Sequence, residues 1–254
     1  MSGIRLVTRA DDAGMGDLAN HAIRETVTHG IVRNISLMAP APAIRNAYDT
    51  LADLRDRVDF GLHVTLTAEW ETIRWRPLTE NKEFTRRDGT MFLTVEDLSA
   101  ASPDMDDLMK EVTAQHDLLL NLGFELAYLD EHMLVGAIPG LADRLSAFAR
   151  EKGLRYDREI QASGAVNLLP GWDGPGEHPG TELADQLSQA PPGTYLLVGH
   201  PATKDEEMTL FRKPGQSRGE EALVRNRQRR MFMDMEIMDY CENVGIELLR
   251  YSQL

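Results

Sequence analysis

A single cysteine, Cys241, rules out an internal disulfide and suits a reducing compartment. No apolar run approaches the ~20 residues that a membrane span needs. The N-terminal stretch also lacks the apolar core of a signal peptide, so a cytoplasmic location is expected. Positive charge is scarce: 27 Lys and Arg stand against 41 Asp and Glu, for a net charge of -14. That balance opposes nonspecific binding to nucleic acid or anionic lipid, because both rest on cationic surface. The one basic cluster, Arg225, Arg227, Arg229 and Arg230, falls on an expected helix and reads as a solvated face with one or two internal ion pairs. Internal repeats and low-complexity segments are also missing, which leaves an ordinary globular chain.

What is present is alternation. Short apolar runs are expected as strands at Ile4–Val7, Arg33–Met38, Val58–Val64, Leu126–Asp130, Tyr195–His200 and Ile246–Leu249, with a short one near Leu154. Helical stretches at about 18–29, 44–54, 102–122, 141–152, 180–190 and 220–243 separate them. Asp17 is expected to cap the first helix, and Ser102-Pro103 to cap and open the third. Met231, Met235 and Met238 fall at helical spacing and are expected in the core. Between about 67 and 100 no helical period appears, which points to a binding loop, a lid or a small β excursion. Strand–helix alternation implies parallel βαβ units, and mostly apolar strands imply a sheet covered on both faces. The expected fold is therefore α/β, with six or seven strands and intervening helices in a single domain spanning 1–254.

A barrel is favoured because polar residues recur at the C-terminal ends of strands far apart in sequence, and a barrel brings such ends together. Asp11 and Asp12 lie in Arg9-Ala10-Asp11-Asp12-Ala13-Gly14, His63 in Gly61-Leu62-His63-Val64, Asp130 and His132 in Leu129-Asp130-Glu131-His132, and His200 in Gly199-His200-Pro201. Each alone has a plain structural explanation. An Asp-Asp at a turn is commonly a helix cap beside a solvated neighbour, and a strand histidine is commonly a hydrogen-bonded core residue. Together they supply a carboxylate and two imidazoles, a common ligand set for a divalent ion with open positions. Adjacent carboxylates raise each other's pKa unless their roles differ, so one aspartate is expected to hold metal and the other to handle protons. His21, His29, His116 and His178 lack such company and read as surface or structural.

Taken in order, these segments resemble the YdjC family of carbohydrate deacetylases, the group that includes the chitooligosaccharide deacetylases. Arg9-Ala10-Asp11-Asp12-Ala13-Gly14 is similar to that family's Asn-Ala-Asp-Asp-Phe-Gly, and His29-Gly30-Ile31-Val32 with Ser36-Leu37-Met38 to its second strand. Gly61 to Thr67 is similar to Gly-x-His-Leu-x-Leu-Thr, Leu129 to His132 to Leu-Asp-Ser-His, and Gly199-His200-Pro201 to Cys-His-Pro-Gly. The resemblance implies a distorted (β/α) barrel, expected here with seven strands, and hydrolysis of an acetamido group on an amino sugar. It assigns Asp12, His63 and His132 to one divalent ion, with Mg or Zn first and Mn or Co as alternatives. It assigns Asp11 as general base and His200 as the acid that protonates the departing amine. Asp130 is expected to orient an imidazole and Arg158 to contact substrate.

The expected partner is a small-molecule or oligosaccharide substrate, with no nucleic acid and no membrane, and a homodimer as a possible assembly. The chain departs from the family where Met133-Leu134-Val135-Gly136 replaces further histidines, and at Arg9, Ala13 and Ala202. These changes leave the metal-binding residues in place and alter the groups around the sugar pocket. The alternatives are another barrel metalloenzyme, amidohydrolase-like or a sugar isomerase, and a non-catalytic sugar-binding relative.

Overall fold

The computed structural model describes residues 3–80 and 84–254. The chain alternates β1 (Ile4–Ala13), α1 (Asp17–Thr28), β2 (Asn34–Leu37), α2 (Ile44–Leu51), β3 (Asp59–Val64), α3 (Val95–Ala100), α4 (Met105–Leu122) and β4 (Leu126–Glu131). It continues through α5 (Leu141–Lys152), β5 (Arg155–Tyr156), α6 (Asp157–Ala162), β6 (Asn167–Leu168), α7 (Pro179–Gln189), β7 (Gly193–Gly199), α8 (Glu220–Met233), α9 (Met235–Val244) and β8 (Glu247–Leu249).

All the strand pairings are parallel. Seven strands follow one path, β5-β4-β3-β2-β1-β7-β6, and curl into a half-barrel; β8 pairs with the N-terminal part of β1. The expected seven-stranded, distorted barrel is thus the observed fold, with a short eighth strand beside it. Among the described residues no pairing joins β5 to β6, so the curl stays open on that side.

Strand periodicity sorts the central strand. Ile4, Leu6 and Ala10 pack outward into the main core with Ile23 and Val27 of α1. Val7 faces the other way, with Tyr128, Leu196 and Tyr251. Each fully buried aliphatic side chain of this kind stabilises the fold by about 1.5–3 kcal/mol. Period 2 places Arg9 and Asp11 on the same inner face as Val7.

Several local expectations are corrected. The first helix is preceded by Gly16, and Asp17 is its first residue with no side-chain cap. Asp104, not Ser102, caps α4, accepting from the backbone N–H groups of Asp106 and Asp107. The last helical stretch breaks at Asp234, which has extended backbone and caps α9. Met231 is buried, but that break leaves Met235 exposed. The 67–100 excursion contains α3 and two isolated β bridges, Thr67 with Phe92 and Thr85 with Met91; its residues 81–83 lie outside the described residues.

Candidate active site

The strand ends singled out in the sequence meet in one cavity of about 830 Å³, which Asp11, Asp12, His63, Asp130, His132 and His200 all line. β4, β3, β2, β1 and β7 are consecutive in the sheet, so their C-terminal ends form one contiguous floor.

Two adjacent aspartates on a regular strand would point to opposite faces. Here the register of β1 against β2 shifts between Ala10 and Ala13, and Asp12 takes a left-handed conformation with φ of 65°. Aspartate tolerates that region better than most residues. The bulge turns Asp12 inward beside Asp11, and re-aiming a side chain is a common use of such an irregularity next to active sites.

Asp12, His63 and His132 form a triangle. Asp12 Oδ1 lies 3.4 Å from His63 Nε2 and 3.3 Å from His132 Nδ1, and the two nitrogens are 3.3 Å apart. The outer nitrogen of each ring is taken: His63 Nδ1 donates to Asp130 Oδ2 at 2.8 Å, and His132 Nε2 donates to Glu69 Oε2 at 2.8 Å. Those partners set the tautomers, so in the neutral rings both inner nitrogens carry lone pairs. Two lone pairs facing each other beside a carboxylate need a proton or a cation between them. Three ligands about 2.0–2.1 Å from a tetrahedral ion are separated by about 3.4 Å, which the triangle matches. Asp12 Oδ1, the oxygen that faces the two rings, has no hydrogen-bond donor, while Oδ2 meets the Arg225 guanidinium at 2.8 Å. The residues present therefore fit a small divalent cation.

Electrostatics agree. The buried carboxylates of Asp11, Asp12, Glu69, Asp130 and Asp157 face two buried guanidiniums, Arg9 and Arg225. Burial pulls the His132 imidazole down, but Glu69 and Asp12 more than offset it and raise its pKa to about 9. Burial likewise opposes charge on His63, and Asp130 with Asp12 carries it well above the ordinary value. The excess negative charge draws protons into the triangle where a dication would otherwise sit.

Arg9 grips Asp11 with Nε to Oδ1 at 2.7 Å and Nη2 to Oδ2 at 3.1 Å. The same guanidinium reaches Asp130 at 3.2 Å and Asp157 at 3.1 Å, and donates to the Tyr251 hydroxyl at 2.8 Å. Burial pushes the Asp11 carboxyl up, but Arg9 outweighs it and holds the group below its ordinary value. Across the cavity, burial lowers His200, Arg225 adds to that, and the carboxylates of Asp12 and Asp11 oppose it; the net direction is down. Arg158 sits at the rim, with Nε and Nη2 both fastened to Glu131 at 2.7 Å.

Two site residues escape the sequence reading. Glu69 follows β3 in the stretch expected to be a binding loop, a lid or a small β excursion, where the sequence singles out no residue. Arg225, read as part of a solvated basic face, is buried and pairs with Asp12 Oδ2 at 2.8 Å and Glu221 at 2.9 Å, 5.2 Å from the Trp70 ring. An i,i+4 Glu–Arg pair reads the same on an exposed or a buried helix face, so nothing local distinguishes it. Arg229 does fit the ion-pair expectation, meeting Glu25 at 2.6 Å.

A crystal structure of an Enterococcus faecalis protein, provisionally assigned to cellobiose-phosphate cleavage, superimposes with a TM-score of 0.79 over 98% of both chains at 17% identity, a likeness of fold. A carbohydrate deacetylase 1 of Listeria innocua is 29% identical over 132 residues, 51% of each chain. A chitooligosaccharide deacetylase of an Enterobacter species is 27% identical over 166 residues, 64% of this chain and 63% of the relative. The chain thus spans between half and just under two thirds of the length of these curated relatives. The YdjC-like protein model matches residues 5–243, nearly the whole chain, and the chain belongs to the YdjC-like family.

Proposed function

We propose that this protein is a metal-dependent hydrolase that removes the acetyl group from an N-acetylated amino sugar or a related amide. The observation that carries the reading is the triangle of Asp12, His63 and His132, with both imidazoles backed by carboxylates. The names of the deacetylase relatives support the substrate class.

Hydrolysis adds water across the C–N bond and yields acetate and a free amine. An amide carbonyl is a weak electrophile, and a divalent ion held by Asp12, His63 and His132 supplies Lewis-acid polarisation and acidifies water. Asp11 accepts the proton that the attacking water loses. Each of its oxygens keeps a lone pair after accepting from Arg9, which fixes the carboxylate in place. His200 donates a proton to the nitrogen as the C–N bond breaks, because an unprotonated amine leaves poorly. Asp130 holds the His63 ring, and Arg158, anchored by Glu131, presents its guanidinium edge to a sugar hydroxyl at the rim.

One observation favours a second assignment of the proton steps. Arg9 weakens Asp11 as a base, while burial keeps His200 neutral and able to accept a proton. In that version His200 takes the proton from water and returns it to the amine. The test of the function itself is acetate release from a panel of acetylated amino sugars, using protein loaded in turn with Zn, Mg, Mn and Co. Release from at least one member is expected; none from any, with metal demonstrably bound, overturns the reading.

A further inference from the structure

The floor of the cavity is made of charged groups, and its mouth adds an apolar patch beside the exposed cations Arg158 and Lys213. Four of the nine large apolar residues that stand exposed among the described residues line this one cavity. They are Met133 at 38% exposure, Leu134 at 69%, Leu168 at 65% and Val224 at 40%. Single exposed apolar side chains are ordinary, whereas convergence from three separate elements on one opening is not. Met133 and Leu134 leave the end of β4, Leu168 ends β6, and Val224 lies on α8.

The backbone sharpens the point. Met133 and Leu134 are consecutive left-handed residues, with φ of 52° and 57°. Bulky side chains disfavour that region, and such outliers gather at ligand clamps. At this turn Leu134 stands in solvent beside the cavity. Because both residues follow His132 directly, the apolar wall begins within two residues of the triangle.

We infer that the substrate is amphiphilic: its acylated sugar occupies the charged floor, and an apolar group attached to it lies against Met133, Leu134, Leu168 and Val224. On this patch a plain oligosaccharide would set hydroxyls against side chains that cannot hydrogen-bond them, whereas Arg158 and Lys213 on the same mouth still serve the sugar. The inference rests on the deacetylase reading for the floor. Its own content is the chemistry of the rim, and the apolar group enters either as an aglycone or as a longer acyl chain.

The test uses the metal-loaded full chain and two substrate series read by free-amine release. One series is the methyl, butyl and hexyl glycosides of N-acetylglucosamine; the other is glucosamine carrying acetyl, butyryl and hexanoyl groups. A fully buried methylene is worth about fourfold, and a group covered on one side about twofold, so kcat/KM is expected to rise about eightfold from methyl to butyl in the aglycone series or about 16-fold from acetyl to hexanoyl in the acyl series. The series that rises identifies which end is apolar. Leu134→Asn with Leu168→Ser, asparagine being tolerant of the left-handed turn, is expected to flatten that rise. Calorimetry with hexyl glucoside, which has no amide, is expected to show binding with a negative heat-capacity change, weakened at least about fivefold in the double variant. Amine release that is flat in both series overturns the inference and leaves the deacetylase reading standing. Hexyl glucoside binding with no amine released from any substrate overturns the deacetylase reading and leaves the apolar rim standing. No binding and no chain-length dependence overturns the rim.

Discussion

His63 and His132 face each other with ring nitrogens 3.3 Å apart, and each ring's far nitrogen donates to a buried carboxylate, Asp130 for one and Glu69 for the other. This arrangement makes protons and a cation competitors for one place. Ligation requires neutral imidazole, so metal uptake must displace whatever protons the surrounding carboxylates have drawn in.

The competition has a sign. The His132 pKa is raised to about 9 in the folded protein, above the ~6.5 of an unfolded chain. Its contribution to the stability of metal-free protein is therefore fully present below pH ~6.5 and lost as pH rises through 9. Thermal melts of chelator-treated protein are expected to show this loss between pH 6.5 and 9. Zn-loaded protein is expected to show the reverse slope, with proton release on metal binding measurable in buffers of different ionisation enthalpy. Identical slopes with and without metal would remove the triangle as the binding site.

Glu69 provides a sharper check, because only geometry picks it out. Removing a carboxylate that orients a ligating histidine typically costs 10–100-fold in metal affinity. Glu69→Ala is expected to fall in that range, measured by chelator competition at pH 9, where protons compete less with the ion. Glu69→Gln keeps an acceptor for the His132 N–H and is expected to lose less than tenfold.

Much of the floor was legible in the sequence, because strand ends in a parallel α/β sheet converge and their polar residues stand out against apolar runs. Strand ends pick out Asp11, Asp12, His63, Asp130, His132 and His200 in this way, while the choice of Asp12, His63 and His132 as one ligand set comes from the family resemblance. That Asp12 turns inward depends on a bulge, which no spacing rule encodes. Glu69 and Arg225 come from a long excursion and a helix, where burial is decided by tertiary packing. The cap of α4 was misplaced by two residues because Ser102, Pro103 and Asp104 all carry start signals, and Asp104 reaches the free N–H groups. The break at Asp234 was hidden by continuous helical periodicity on either side of it.

Asp11→Asn preserves shape and the triangle while removing a proton acceptor. If Asp11 is the base, turnover is expected to drop at least about 10²-fold, with metal affinity within a few-fold of the parent. If His200 carries both proton steps, the loss is smaller and His200→Asn is the more damaging change. Paired acetate assays and chelator titrations separate the two.

The pH profile separates them independently. His200 titrates below its ordinary value, and a dication bound at the triangle would push it further in the same direction. As a dedicated acid it must be protonated beforehand, so kcat/KM is expected to fall as pH rises through its pKa, below ~6.5. As a shuttle it must start neutral, and kcat/KM instead rises through that pKa and is level at neutral pH. Either limb is expected to vanish in His200→Asn; a limb that persists belongs to another group.

Gly61 tests whether the scaffold behind the site is as tight as it appears. It sits in β3 opposite Tyr128, and a Cβ there would meet the tyrosine ring at 2.2–2.6 Å. The ring has little room to retreat, because it stacks on Tyr251 with centroids 4.0 Å apart. Its hydroxyl also shares a hydrogen bond with Ser36 Oγ at 2.8 Å, and Ser36 in turn donates to Asp130 Oδ2 at 3.1 Å. Overpacking of this kind typically costs 1–3 kcal/mol, equivalent to a fall in Tm of roughly 2–4 °C per kcal/mol at this chain length. Gly61→Ala is expected to lower Tm by several degrees. Because the displaced tyrosine is linked through Ser36 to the carboxylate that holds His63, metal affinity is expected to weaken as well. Tyr128→Phe removes the hydroxyl link without the clash, and is expected to change Tm by less than Gly61→Ala does. A Gly61→Ala protein with unchanged Tm would mean that the wall behind His63 is looser than these contacts require.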